Sequence, residues 1–145
     1  MASDPTAPDA PKRAAVFLSY ARADRARAQK LADALAHAGF EVWWDALIEG
    51  GAAFASSIRA ALDAADAVIV LWSRTSIESD WVCDEAAVGR DRKRLVPLSL
   101  DGSEPPLGFR QYHAIDIAKW RGRTDAPEIA AISRAVAASA GQPMP

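Results

Sequence analysis

Short, apolar β-type runs alternate with helix-period stripes along this chain, and that alternation restricts its fold more than any single residue does. The runs at 14–20, 67–73 and 95–100 are almost continuously apolar, as strands are when helices cover both of their faces. A further run lies at 40–45, and a weaker fifth at 113–117. Between the first two, Ala28, Leu31, Ala32, Leu35 and Ala38 recur at helical spacing, with Gly39 placed to end the helix in a left-handed turn. Phe54, Ile58, Ala61, Leu62 and Ala65 form a second stripe. Residues 79–91 form a third, opening at Ser79 or Asp80 as N-cap. Residues 126–139 form the last, with Pro127 in its first turn and Ile129, Ile132 and Val136 on one face.

Strict β-α alternation predicts a parallel sheet with right-handed crossovers and helices on both faces. Five strands in a chain of 145 residues point to the α/β flavodoxin-like order 2-1-3-4-5. The stretch 101–112 carries two prolines and two glycines and reads as a loop in place of a full fourth crossover helix. Residues 1–12 read as a disordered leader, 13–140 as one domain, and 141–145 as a tail or the start of a linker. At this length about 68–70% of the unfolded chain's surface can be buried, so one core suffices without covalent staples.

Composition removes several function classes. With 17 Lys+Arg against 19 Asp+Glu the formal net charge is −2, which gives no electrostatic reason to expect nucleic acid or an anionic membrane as partner. Cys83 is the single cysteine. An internal disulfide is therefore excluded, and a reducing, cytoplasmic setting fits. The first thirteen residues lack the apolar segment of a signal peptide, and the apolar run 67–72 is far too short to span a bilayer. There is no GxGxxG, GxxxxGK[ST] or HExxH pattern and no Cys/His cluster, so no metal site and no bound cofactor are expected. His37 and His113 read as structural or surface groups. Cys83 stands beside Asp84 without a cationic neighbour and reads as an inert thiol. The run Arg90, Arg92, Lys93, Arg94 at a helix end reads as complementing a helix dipole.

In an open α/β sheet, ligands bind beyond the carboxyl ends of the strands. Ser19, Tyr20 and Arg22 follow the first strand; Trp44 and Asp45 follow the second, ahead of Gly50-Gly51. Ser73 and Ser76 follow the third, ahead of the helix that carries Trp81 and Glu85. Trp81 and Glu85 stand at i and i+4 on one helix face, where an indole can partly desolvate a carboxylate. The structural alternative makes Trp81 a core residue and Glu85 a solvated one. A fully buried Trp81 would cost about 3–5 kcal/mol on truncation to alanine.

These residues resemble the TIR (Toll/interleukin-receptor) family. Ala15-Val16-Phe17-Leu18-Ser19-Tyr20 is similar to its first-strand box. Gly39-Phe40-Glu41-Val42-Trp43-Trp44-Asp45 is similar to its second strand, and Gly51-Ala52-Ala53-Phe54 to the end of its BB loop. Arg94-Leu95-Val96-Pro97-Leu98 is similar to its fourth strand. The most specific piece, Ser73-x-x-Ser76-x-x-Ser79-x-Trp81-x-x-x-Glu85, resembles the Ser-x-Trp-x-x-x-Glu box of bacterial and plant members. The resemblance covers residues 14–120 and implies one of two activities. One is cleavage of NAD⁺ as substrate, by hydrolysis or cyclisation, with Glu85 catalytic and Ser19, Tyr20, Arg22, Trp44, Asp45, Ser73, Ser76 and Trp81 lining the substrate site. The other is non-enzymatic TIR–TIR association as a signalling adaptor. For the enzymes it further implies activation by homo-oligomeric assembly, coupled to a sensor domain or protein, in immune or virulence effectors.

Overall fold

The computed structural model describes residues 14–44 and 52–139. The leader 1–12, the tail 141–145, Asp45 and the Gly50-Gly51 pair lie outside the described residues. Five strands, β1 (Ala15–Ser19), β2 (Glu41–Trp44), β3 (Ala67–Trp72), β4 (Leu95–Ser99) and β5 (Ile115–Asp116), alternate with four helices: α1 (Arg25–His37), α2 (Ala52–Ala64), α3 (Asp80–Asp91) and α4 (Pro127–Ser139). All neighbouring strands pair parallel, in the order β2-β1-β3-β4-β5. This is the flavodoxin-like 2-1-3-4-5 sheet that the alternation requires.

β3 lies at the centre of the sheet, and all six of its residues are buried. Strand alternation divides them between two cores. Ile69 and Leu71 pack with Leu31 and Leu35 of α1 and with Ile129, Ile132 and Val136 of α4. On the opposite face Val68 packs with Ile58 and Leu62 of α2, and Val70 and Trp72 pack with Val82 and Ala86 of α3. Both faces are thus covered, which is why the strand sequence AVIVLW has no polar member.

Local signals set the helix ends. α1 closes in a Schellman turn at Gly39, whose φ is +105°. There Phe40 N–H donates to Leu35 O at 3.1 Å and Gly39 N–H to Ala36 O at 3.0 Å. α3 opens on Ser79, whose hydroxyl accepts from Val82 N–H at 3.2 Å, so the cap is Ser79 and not Asp80. The arginines after α3 complement a helix end, but that of α2. Arg94 Nη1 donates to Ala65 O at 2.9 Å, and Arg92 Nη2 meets Asp63 Oδ1 at 2.8 Å.

β5 is shorter than its apolar run, because only Leu98 and Ser99 of β4 are paired with it. Residues 101–112 form turns without a helix, and Phe109 anchors them. Its ring lies 5.2 Å from that of Trp72, and the Arg90 guanidinium sits 4.9 Å above it. No helix among the described residues is long and apolar enough to cross a membrane.

Candidate active site at the carboxyl edge

Along α3 the buried residues are Val82, Glu85, Ala86 and Gly89, an i, i+3, i+4, i+7 stripe that turns to the sheet. A carboxylate therefore occupies a position where helical periodicity calls for an apolar side chain. Glu85 is 6% exposed, and burying such a group without a partner is strongly unfavourable. Ser19, at the carboxyl end of β1 and itself buried, answers it: Ser19 Oγ donates to Glu85 Oε1 at 2.6 Å. That length falls in the range of charge-assisted O–H···O⁻ bonds. The stripe's fourth member is a glycine for a steric reason, since a Cβ at Gly89 would lie 2.7 Å from Val68 Cβ. The close approach of α3 to β3 sets the depth to which Glu85 reaches.

A second serine–carboxylate pair lies further along the same edge, since Ser19 is in register with Val70, three residues before Ser73. Ser73 Oγ, just past β3, donates to Asp24 Oδ2 at 2.5 Å. Asp24 precedes α1 in the 3-10 turn Arg22–Asp24 and makes no side-chain cap bond to that helix. Ser76 is fully buried, and its hydroxyl is committed to the backbone. It accepts from Ser73 N–H at 2.7 Å and donates to Leu71 O at 2.7 Å, while Ser76 N–H donates to Ser73 Oγ at 3.1 Å. This reciprocal pair locks the turn between β3 and α3, so Ser76 shapes the site's wall.

The remaining candidates divide by sheet face. Tyr20 and Trp44 lie with their rings 6.0 Å apart and pack on the α1 side, whereas Ser19 and Glu85 are on the α3 side. Tyr20 is the next residue after Ser19, and the alternation along β1 sends it to the other face. Arg22 is exposed at the edge, and Asp45 lies outside the described residues. Trp81 and Glu85 reverse the structural alternative drawn from sequence: the carboxylate is buried and the indole is 50% exposed. The stability loss expected of a fully buried indole does not apply. Truncating Trp81 to alanine should cost roughly 1.5–2.5 kcal/mol, half the loss at a buried site, measurable as a small shift in urea midpoint.

Asp24 and Gly89 escaped the sequence reading. The signal for Asp24 was an acid five residues beyond Ser19; for Gly89 it was a glycine inside a helical stripe, which marks a close approach. Other groups contribute little chemistry. Burial, with Asp80 and Asp84 adding to it, pushes the Cys83 thiol up, away from the reactive thiolate. His37 and His113 are both exposed. Among the described residues no group of three or more His, Cys, Asp or Glu could hold a metal ion. Burial pushes the Asp101 carboxyl up, but the N–H groups of Arg74 and Ser103 and the nearby Arg27 outweigh it and hold the group below the usual carboxylate range.

The site and sheet order define a flavodoxin-like α/β domain with a buried glutamate at its carboxyl edge. The TIR domain family model matches residues 16–135, and the chain belongs to that family. No curated protein matches its sequence. Among solved structures it is similar to the TIR domain of the Toll-related receptor TRR-2 from Hydra magnipapillata. That likeness has a TM-score of 0.64 and 21% identity, over 72% of this chain and 84% of that one. It is also similar to the TIR domains of the activated Roq1 resistosome, which directly recognises the pathogen effector XopQ. Here the TM-score is 0.53 and the identity 17%, over 88% of this chain and 83% of that one. At these identities the likeness to the two structures concerns the fold.

Proposed function

We propose that this TIR domain cleaves the bond between nicotinamide and ribose in NAD⁺, with Glu85 as the catalytic carboxylate. The observation that carries the reading is the buried Glu85, hydrogen-bonded to Ser19 at the sheet's carboxyl edge. The Ser-x-Trp-x-x-x-Glu box that ends on it adds support. Nicotinamide leaves as a neutral molecule because the pyridinium takes the C1′–N electron pair, so no general acid is required. The remaining demand is on the ribose, which develops positive charge. A fixed carboxylate in a water-poor slot stabilises that charge and orients the ribose hydroxyls. Ser19 holds Glu85 in place, and the half-exposed indole of Trp81 offers a stacking face for an aromatic ring. With water as acceptor the products are nicotinamide, ADP-ribose and a proton; with an acceptor inside the same molecule, a cyclic ADP-ribose isomer and a proton.

A second reading is non-enzymatic association between TIR domains, favoured by the exposed Leu107 and the half-exposed Trp81. The two readings combine if clustering switches the enzyme on. Incubation with NAD⁺ across a wide range of protein concentration separates them. We expect nicotinamide release, with a rate per molecule that rises with concentration or tethering, because proximity raises the effective concentration of partner domains. A folded protein that releases no nicotinamide at any concentration would leave the adaptor reading alone.

A further inference from the structure

Between β4 and β5 the chain runs as a strap, residues 101–112, in which Phe109 alone is buried. The start of the strap is pinned. Asp101 Oδ2 accepts from Arg74 N–H at 2.8 Å, and Ser99 Oγ accepts from Gly102 N–H at 2.9 Å. Around Phe109 it is a succession of bonded turns: Phe109 N–H donates to Pro106 O at 3.0 Å, and Tyr112 N–H to Phe109 O at 3.1 Å. Pro105 and Pro106 stiffen it further. The Phe109 ring enters the cluster of Val70, Trp72, Val82 and Ala86, and Arg90 of α3 holds it there. The Arg90 guanidinium lies 4.9 Å from the ring centroid, with Nη1 donating to Gly108 O at 3.4 Å and Nε to Asp91 Oδ1 at 3.0 Å. A Cβ at Gly108, whose φ is +95°, would lie 3.0 Å from that Nη1. The close approach of strap and arginine therefore calls for glycine.

Five residues separate Glu85 from Arg90, which sets them about 140° apart around α3. They lie on opposite flanks of the buried stripe Val82, Ala86 and Gly89. That stripe consists of small residues. They permit the close seat on β3, but they form shallow ridges that resist rotation of the helix about its own axis only weakly. Two tethers therefore fix the roll of α3. One is the Ser19–Glu85 hydrogen bond of 2.6 Å; the other, on the far flank, is the contact of Arg90 with Phe109. We propose that Phe109 and Arg90 are positioning residues for Glu85: they set the roll of α3 and with it the depth at which the carboxylate is held. The consequence for rate rests on the NAD⁺ reading. Phe109 belongs to the cluster around Trp72 and not to the Ser19–Glu85 pair, so it acts through the helix.

Phe109→Ala and Arg90→Ala provide the test, the second because it leaves every buried side chain in place. In each, kcat for NAD⁺ should fall on the order of tenfold, within the 10²-fold that misplacing a reacting group by about 1 Å can cost, while KM changes little. Arg90→Lys keeps a cation over the ring and should recover part of the loss. Val136→Ala, a truncation in the core on the other face of the sheet, controls for general loosening. The position of Glu85 is read directly by its modification with a water-soluble carbodiimide, located by mass spectrometry. Modification should be slow in the wild type and in Val136→Ala, and several-fold faster in Phe109→Ala and Arg90→Ala. An unchanged kcat, a rise in KM in its place, or an equal loss of kcat in Val136→Ala would overturn the proposal. If the wild-type domain releases no nicotinamide, the NAD⁺ reading fails, and the modification rates still decide the positioning role. Faster modification of Glu85 in the two variants supports it; unchanged modification refutes it.

Discussion

Replacing Glu85 by glutamine should lower nicotinamide release by on the order of 10²–10³-fold, the usual loss when one preorganised stabilising group is removed from a transition state. The fold should survive. Glutamine has nearly the same shape, and its carbonyl can still accept the Ser19 hydroxyl that now lies 2.6 Å from Oε1. The new amide N–H₂ enters a slot where the side chain is 6% exposed, and an unpaired donor there costs about 1–3 kcal/mol. Rate and melting temperature must therefore be read together. A folded Glu85→Gln protein that turns over NAD⁺ like the wild type would remove Glu85 from the mechanism.

Gly89→Ala is expected to destabilise the domain, although alanine is the better helix former. The added Cβ would sit 2.7 Å from Val68 Cβ, at the main chain of a central strand. It is not the end of a flexible side chain, so neither partner can swing aside. Overpacking of this kind costs about 1–3 kcal/mol, and better helix propensity returns up to about 1 kcal/mol. A net loss of roughly 1–2 kcal/mol should lower the melting temperature by several degrees. Activity should fall further than stability accounts for, because Glu85 lies one turn earlier on the same buried stripe. A shift of α3 away from β3 draws its carboxylate off Ser19. A Gly89→Ala protein that is as stable and as active as wild type would show that the contact can relax without moving Glu85.

The order of elements was legible in the sequence because it follows from local rules. Continuously apolar runs and period-3.6 patterning located strands and helices to within a few residues. The helix-ending turn at Gly39 and the cap at Ser79 each depend on groups within five residues along the chain. Strict alternation then left few sheet orders open. Glu85 was legible too, as the last residue of a box and one turn from Trp81. Its burial was not, since spacing places a residue on a helix face without saying how far that helix extends past the sheet. α3 begins with Trp81 half in solvent and settles onto β3 only at Val82, Glu85, Ala86 and Gly89. The separation of Tyr20 and Trp44 from Glu85 follows from strand alternation, a rule available in the sequence that a search for residues after each strand passes over.

Asp24 marks the boundary between the two kinds of knowledge. By itself the sequence determined the parallel α/β sheet, its helices and the acid that ends the box, because local patterning marks the elements and their alternation leaves few ways to assemble them. Only the tertiary structure decided that Asp24 leaves the helix it precedes and pairs with Ser73, 49 residues away, and that Ser19 pairs with Glu85, 66 residues away. Bonds of that span form where crossovers bring strand ends side by side, and their geometry is set by packing depth, such as that of Gly89 against Val68, which no local pattern specifies.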